Sequence, residues 1–220
     1  MKLLGPIFDG ASGFIFDCDG TLLDTMNAWN ALEEDLFAQV SIPFTPEQID
    51  EVRALPIQLS AGRFFEHGIG ESPEDVMEIL DTALLGFYQT EAKALPGAKE
   101  FVRAAQAAGI PCTVVSSSPQ RFVVAGLERN GFADAFRAIV TTEDVGMSKQ
   151  DPRIYLHAVE AMGSQVESTW AFDDALYALE VMRGVGLRTC GCYDHDETGT
   201  YEQLKGAADI AIRSFEELLS

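Results

Sequence analysis

Two aspartates, Asp17 and Asp19, stand one residue apart where the apolar run of "GFIFDCDGTLLDT" gives way to a Gly-Thr turn. Alternate side chains of an extended segment share a face, so both carboxylates lean one way and Cys18 the other, while Gly20 lets the chain turn tightly. At about 4 Å and an effective dielectric of 20, two such charges repel by roughly 4 kcal/mol, a penalty relieved by a cation or a proton. A hard metal ion is the natural partner. A helix-capping Asp followed by a "DG" turn explains the same letters, and both readings stand at this point. An upstream near copy, Ile7-Phe8-Asp9-Gly10, carries one acid only.

Three further stretches offer reactive groups. In "CTVVSSSPQ", Ser118 suits a helix N-cap and Pro119 a first helical turn. Ser116 is left over, with a hydroxyl able to hold a phosphate oxygen. In "GMSKQDPRIYLHAVEAMG", Asp151 can cap a helix that begins at Pro152 and stops at Gly163, and Lys149 stands just ahead of it, as a surface cation or a functional one. In "TWAFDDALYALEVMRGVG", two acids again end a strand. Capping accounts for one of Asp173 and Asp174 better than for both.

The elements that must position these groups alternate. Short β-rich runs at 13–17, 112–116, 138–141, 169–172, 187–192 and 209–212 are separated by helical patterns, the signature of a parallel sheet flanked by helices. Between the first two runs lies a long insert without a convincing strand. Its apolar residues Trp29, Leu32, Leu36 and Val40, then Val76, Ile79, Leu80, Ala83 and Leu84, follow helical spacing. Pro43, Pro46, Pro56 and Pro73 divide the insert, and Leu95-Pro96-Gly97 marks the return. The expected division is an α/β core at 1–24 and 95–220, with a helical cap at 25–94 hinged near Thr25 and Ala94. All four reactive stretches end strands or follow them, and open parallel sheets bind ligands beyond the carboxyl ends of their strands. If the Asp17 and Asp173 strands are neighbours, three carboxylates surround one Mg²⁺, with Ser116 and Lys149 facing an anion across it.

Composition narrows the partners. With 220 residues, 47% of them hydrophobic, the chain can fill one full core and a smaller domain. Fifteen Lys and Arg against 35 Asp and Glu give a formal charge of −20, which repels nucleic acid and anionic membranes. An anionic substrate then needs local positive groups. The first ten residues hold one Lys and no sustained apolar stretch, which reads as neither a signal peptide nor a membrane span and points to the cytoplasm. Cys18, Cys112, Cys190 and Cys192 sit in or beside apolar runs, as small hydrophobes rather than zinc ligands.

The ordered set "DCDGT", "VVSSS", "SK" and "FDDA" resembles motifs one to four of the haloacid dehalogenase-like hydrolase superfamily across nearly the whole chain. The insert falls where members with an α-helical cap carry it, as the beta-phosphoglucomutase and phosphoglycolate phosphatase relatives do. Asp173-Asp174-Ala175 stands where many relatives have Glu-Asp-Ser, and Gln150 where a Pro commonly follows the lysine; neither removes a required group. The resemblance implies a Rossmann-like core and a Mg²⁺-dependent phosphatase acting on a small phosphate monoester. Asp17 is then the nucleophile and Asp19 the general acid and base. Asp17, the Asp19 main-chain carbonyl and Asp174 hold Mg²⁺, with Asp173 a direct or water-mediated partner. Gly20, Thr21, Ser116, Ser117 and Lys149 receive the phosphate. Asn27, Trp29, Arg53, Arg63 and His67 are candidate cap contacts.

The main alternative is a phosphomutase of the beta-phosphoglucomutase type, disfavoured because the cap offers only Arg53 and Arg63 for a second phosphate. A phosphonate-cleaving enzyme needs a cap lysine, and Lys93 lies at the hinge. A haloacid dehalogenase needs no metal and no such acidic set. A phospho-accepting receiver module has a different motif order, and a non-catalytic phosphate-binding descendant is a further alternative. Monomer and homodimer are both open.

Overall fold

A computed structural model describes residues 8–53, 55, 57–194 and 200–219; the side chains of Asp50 and Arg53 lie outside the described set. The chain runs β1 (Gly13–Phe16), β2 (Leu23–Asp24), α1 (Met26–Gln39), α2 (Pro46–Arg53), α3 (Ile57–Glu66), α4 (Pro73–Thr90), β3 (Lys93–Ala94), α5 (Ala98–Ala107), β4 (Cys112–Ser116), α6 (Gln120–Arg129) and β5 (Ala138–Thr141). It continues through α7 (Thr142–Val145), α8 (Arg153–Met162), β6 (Thr169–Asp173), α9 (Leu176–Gly184), β7 (Arg188–Cys192), α10 (Tyr201–Ala207) and β8 (Ile210–Ile212).

Among the described residues the main sheet has six strands in the order β5-β4-β1-β6-β7-β8. Its pairings are all parallel. The fold is therefore α/β and Rossmann-like, and strand order reverses at β1. The alternation seen in the sequence sorts side chains to two faces. Phe14, Phe16, Cys18, Val114 and Phe172 pack with Phe101 of α5 on one side. Ile15, Val115 and Ala171 meet Ile154, Tyr155 and Ala158 of α8 and Leu179 of α9 on the other. With both faces covered, the strands are apolar at nearly every position.

The insert holds four helices among its described residues. Pro46 and Pro73 open α2 and α4, and Ser72 caps α4 by accepting the Asp75 N–H. Val76, Leu80 and Leu84 are buried as their spacing predicts, whereas Ile79 is 43% exposed. One feature departs from expectation. The two ends of the insert pair as short antiparallel strands, with Leu23 opposite Ala94 and Asp24 opposite Lys93. Two residues per strand carry no readable periodicity, so only tertiary pairing reveals them. The pairing brings both chain crossings to one place beside the end of β1.

Candidate active site

Asp17 follows β1 directly, and its N–H donates to the Phe172 carbonyl on the neighbouring strand at 2.9 Å. That register sets Asp17 beside Asp173, the last residue of β6. The Lys149 ammonium reaches both, at 2.9 Å from Asp17 Oδ1 and 2.5 Å from Asp173 Oδ2. Lys149 is 4% exposed, so it is no surface lysine. Burial pushes the Asp17 carboxyl well above its usual range; Lys149 opposes this, and Asp173 and Asp174 reinforce it. For Lys149, burial disfavours the charge, but Asp17 and Asp173 outweigh it and hold the ammonium well above its ordinary value.

One carboxylate oxygen from each of Asp17, Asp173 and Asp174 lies within 4.8 Å of the others, and all three residues are buried. Three carboxylates sharing one ammonium leave an excess of negative charge that a divalent cation would balance. Hard oxygen donors at this spacing suit such an ion. Gly20 keeps the space open. Its φ is +78°, and a Cβ there would lie 2.9 Å from Asp174 Oδ2 and 3.2 Å from Asp194 Oδ2. Asp194, two residues past the end of β7, is thus a further buried carboxylate at the rim, which no motif around it marks in the sequence.

The Asp19 side chain takes a different set of partners. Its Oδ1 accepts from Thr25 Oγ1 at 2.6 Å and from the Tyr88 hydroxyl, and its Oδ2 accepts from Ser118 Oγ at 2.7 Å. Of the two acids expected to lean to one side, only Asp17 joins the carboxylate cluster. Tyr88 belongs to α4 of the insert and is fully buried. Burial, and next the nearby Asp19, push its hydroxyl well above the usual tyrosine value, so it stays a donor at neutral pH. Nothing in the helical pattern around Tyr88 marks it as more than a core residue.

Several local expectations change with the tertiary context. Ser118 is not an N-cap: α6 starts one residue later than expected, from Pro119 without a side-chain cap, and the Ser118 hydroxyl donates to Asp19 Oδ2. Ser116 Oγ accepts the Ser118 N–H at 3.0 Å and keeps its own O–H to donate. Ser117 is exposed, and its carbonyl accepts from Thr142 Oγ1. The Gly20 N–H donates to the Leu23 carbonyl and Thr21 Oγ1 to Asp174 Oδ1 at 3.3 Å. Those two donors are engaged around the turn rather than offered to an anion. The helix after Asp151 begins at Arg153 rather than Pro152, with Pro152 at the cap position and no side-chain cap; Asp151, one residue further out, accepts the Arg153 N–H at 3.0 Å, and Gly163 ends the helix in the left-handed conformation. Asp173 Oδ1 accepts the Ala175 N–H ahead of α9, whose N-cap is Ala175 itself.

Of the insert candidates, Trp29 comes nearest the site, donating its Nε1–H to the Tyr88 hydroxyl at 2.9 Å. Arg63 pairs with Glu66 and Glu51. His67 bonds the Ile42 carbonyl and stacks on Phe44 at 3.5 Å, a structural role. Asn27 is exposed, and the Arg53 side chain lies outside the described residues. The upstream Asp9 is exposed, apart from any acidic cluster among the described residues, and Ile7 lies outside them.

A parallel sheet gathers buried carboxylates and a lysine at its carboxyl edge, and the chain belongs to the haloacid dehalogenase-like hydrolases, whose model matches residues 11–186. It is a phosphatase of that family. The chain is 30% identical over 194 residues to N-acetylmuramic acid 6-phosphate phosphatase of Pseudomonas aeruginosa, covering 83% of each protein. It is 22% identical over 178 residues to hexitol phosphatase B of Escherichia coli, covering 80% of each. The crystal structure of CbbY from Rhodobacter sphaeroides in complex with phosphate superposes with a TM-score of 0.77 at 24% identity, over 95% of this chain and 96% of that one. At that identity the likeness speaks for the fold.

Proposed function

We propose that this chain hydrolyses a small phosphate monoester, a phosphorylated sugar or a similar metabolite, through an aspartyl-phosphate intermediate and with Mg²⁺ as cofactor. The observation that carries the reading is Lys149 bridging Asp17 and Asp173 in a buried pocket of charge, with Asp174 alongside. The names of the two curated relatives, a phosphatase of an amino-sugar phosphate and a hexitol phosphatase, support the substrate class.

The Asp17 carboxylate attacks phosphorus, and the bond from phosphorus to the ester oxygen breaks. Asp19 gives its proton to the departing alkoxide. Water then attacks the phosphoryl group on Asp17, Asp19 takes back a proton, and inorganic phosphate leaves with the Asp17 carboxylate regenerated. Lys149 offsets charge shared by Asp17 and the transferring group, and the Ser116 hydroxyl donates to a phosphate oxygen. Asp17, Asp173, Asp174 and the Asp19 main-chain carbonyl would hold Mg²⁺, which when bound neutralises charge on the phosphoryl oxygens. Ser117 is retained as a phosphate contact through its main chain; Gly20 and Thr21 act by shaping the turn.

The insert, 25–94, is proposed as the cap that covers the site and selects the substrate, hinged at β2 and β3. A mutase is not favoured, since Arg63 is already paired with two glutamates. The cytoplasm is the proposed location: four buried free thiols suit a reducing compartment, and no described helix is long and apolar enough to cross a membrane.

A screen of sugar phosphates, phosphoglycolate and nucleotides for released phosphate, with Mg²⁺ and with EDTA, tests this. Mg²⁺-dependent release that Asp17→Asn abolishes is expected, and Asp19→Asn should accumulate a phosphoryl adduct on Asp17 visible by intact mass. Release that survives Asp17→Asn, or turnover that needs a sugar bisphosphate and frees no phosphate, overturns it.

A further inference from the structure

The Asp19 carboxylate is held by three hydroxyls from three different parts of the chain. Ser118 comes from the core segment after β4, Thr25 from the residue after β2, and Tyr88 from α4 of the insert. Tyr88 is the least expected, because it lies 69 residues away from Asp19 and belongs to the insert rather than to the sheet.

Its placement is fixed on every side. The ring stacks on Phe122 of α6 with centroids 5.4 Å apart and planes 18° apart. The Trp29 indole donates to the hydroxyl at 2.9 Å, which leaves the tyrosine proton to go to Asp19. Gly126 on α6 makes the room: a Cβ there would lie 3.0 Å from Tyr88 Cδ1 and 2.5 Å from Leu23 Cδ1. A phenol buried in a core without purpose would normally be a phenylalanine, since leaving out the hydroxyl removes the cost of satisfying it.

We infer that Tyr88 is a positioning residue for the acid and base chemistry of Asp19, fixing that carboxylate by a hydrogen bond delivered from the insert and oriented by Trp29. The inference rests on the proposed role of Asp19 as the group that protonates the leaving oxygen. Through it, the insert does more than cover the pocket: its seat on α6 sets the donor that aims the proton-transfer group. The energetic scale is that of one hydrogen bond, enough for about tenfold in rate.

The test compares leaving groups of different basicity. Phenyl phosphate releases a basic phenolate that needs a proton, and 4-nitrophenyl phosphate a stabilised anion that needs little help. First-turnover release of phenol and of nitrophenol is measured for the unmodified enzyme, Tyr88→Phe, Trp29→Phe and Asp19→Asn, with Mg²⁺ present. Tyr88→Phe keeps the stack on Phe122 and loses only the hydroxyl. It should slow phenol release about tenfold while changing nitrophenol release by less than about twofold, with KM for both esters unchanged. Trp29→Phe should move the same ratio in the same direction by less, and supplies the test if Tyr88→Phe melts at a markedly lower temperature. Equal loss on both esters, a change in KM alone, or no change in either variant overturns the inference while Asp19→Asn still shows the split. If Asp19→Asn itself shows no split, or the unmodified enzyme turns over neither ester, the failure lies in the proposed chemistry beneath it, and the inference falls with that.

Discussion

Lys149 and Asp17, 132 residues apart in the chain, meet at 2.9 Å in a pocket where both side chains are less than a tenth exposed. This contact joins the loop before α8 to the end of β1, and Asp173 closes it from β6. A buried ammonium between two carboxylates is tolerated only as a set, because removing one member leaves the others uncompensated.

Lys149→Met should therefore cost both stability and activity. Losing the ammonium leaves Asp17, Asp173 and Asp174 buried together, and the expected destabilisation is about 3–5 kcal/mol in urea titration without added cation. Phosphate release should fall by roughly 10²–10³ in kcat, as for loss of a preorganised charge facing the transferring group. A variant that melts and turns over like the parent contradicts the site.

Gly20 and Gly10 share a φ of +78° and differ in their surroundings. A Cβ at Gly10 meets nothing within 4 Å, whereas one at Gly20 meets the Asp174 and Asp194 carboxylates. Gly10→Ala should cost only the left-handed strain of about 1–2 kcal/mol. Gly20→Ala should add a loss of divalent-cation affinity, read as a rightward shift in the Mg²⁺ concentration needed for half-maximal activity and in Mn²⁺ binding followed by calorimetry. Equal behaviour of the two variants refutes the claim that Gly20 keeps the cation pocket open.

Gly126→Ala tests the seat of the insert on α6. The added methyl collides with Leu23 and Tyr88, and overpacking of this kind costs about 1–3 kcal/mol. Thermal unfolding should shift down, and the phenyl to nitrophenyl phosphate ratio should drift toward that of Tyr88→Phe as the ring is displaced. An unchanged melting temperature would show that the helices simply separate.

The cysteines should be inert in the folded chain. Burial pushes the Cys112 thiol from 9.0 up to about 12 and raises Cys18 and Cys192 well above the ordinary value. A raised folded value means that the neutral thiol contributes its stability in full below about pH 9; the contribution of Cys112 is lost as pH climbs toward about 12. Iodoacetamide at pH 8 should leave native Cys112 unlabelled, with on the order of 10³-fold less thiolate than in the unfolded chain. All four thiols should label in guanidinium. Rapid native alkylation would place these residues at the surface.

Much of the site was legible before the fold was known. Strand periodicity, the apolar runs and the paired acids Asp17/Asp19 and Asp173/Asp174 are local signals, and the strands begin and end within a residue or two of their sequence limits. Lys149 could be proposed from its position before a helix. What local signals misassign are short polar side chains. Ser118 reads as a cap from its neighbours in sequence and serves Asp19 from its neighbours in space. Thr21 and the Gly20 N–H likewise find partners within the turn.

The sequence by itself determined the α/β alternation, the place of the helical insert and the acids Asp17 and Asp173 at the ends of neighbouring strands, because each is written in residues adjacent along the chain. Only the tertiary structure decided that Asp19 parts from the carboxylate cluster to three hydroxyls, that Tyr88 of the insert is one of them, and that Asp194 stands at the rim. The physical reason is separation along the chain. A hydroxyl takes the strongest acceptor that folding brings within 3 Å, and which acceptor that is depends on strand order and on how the insert seats against α6, neither of which leaves a periodic trace in the amino acids.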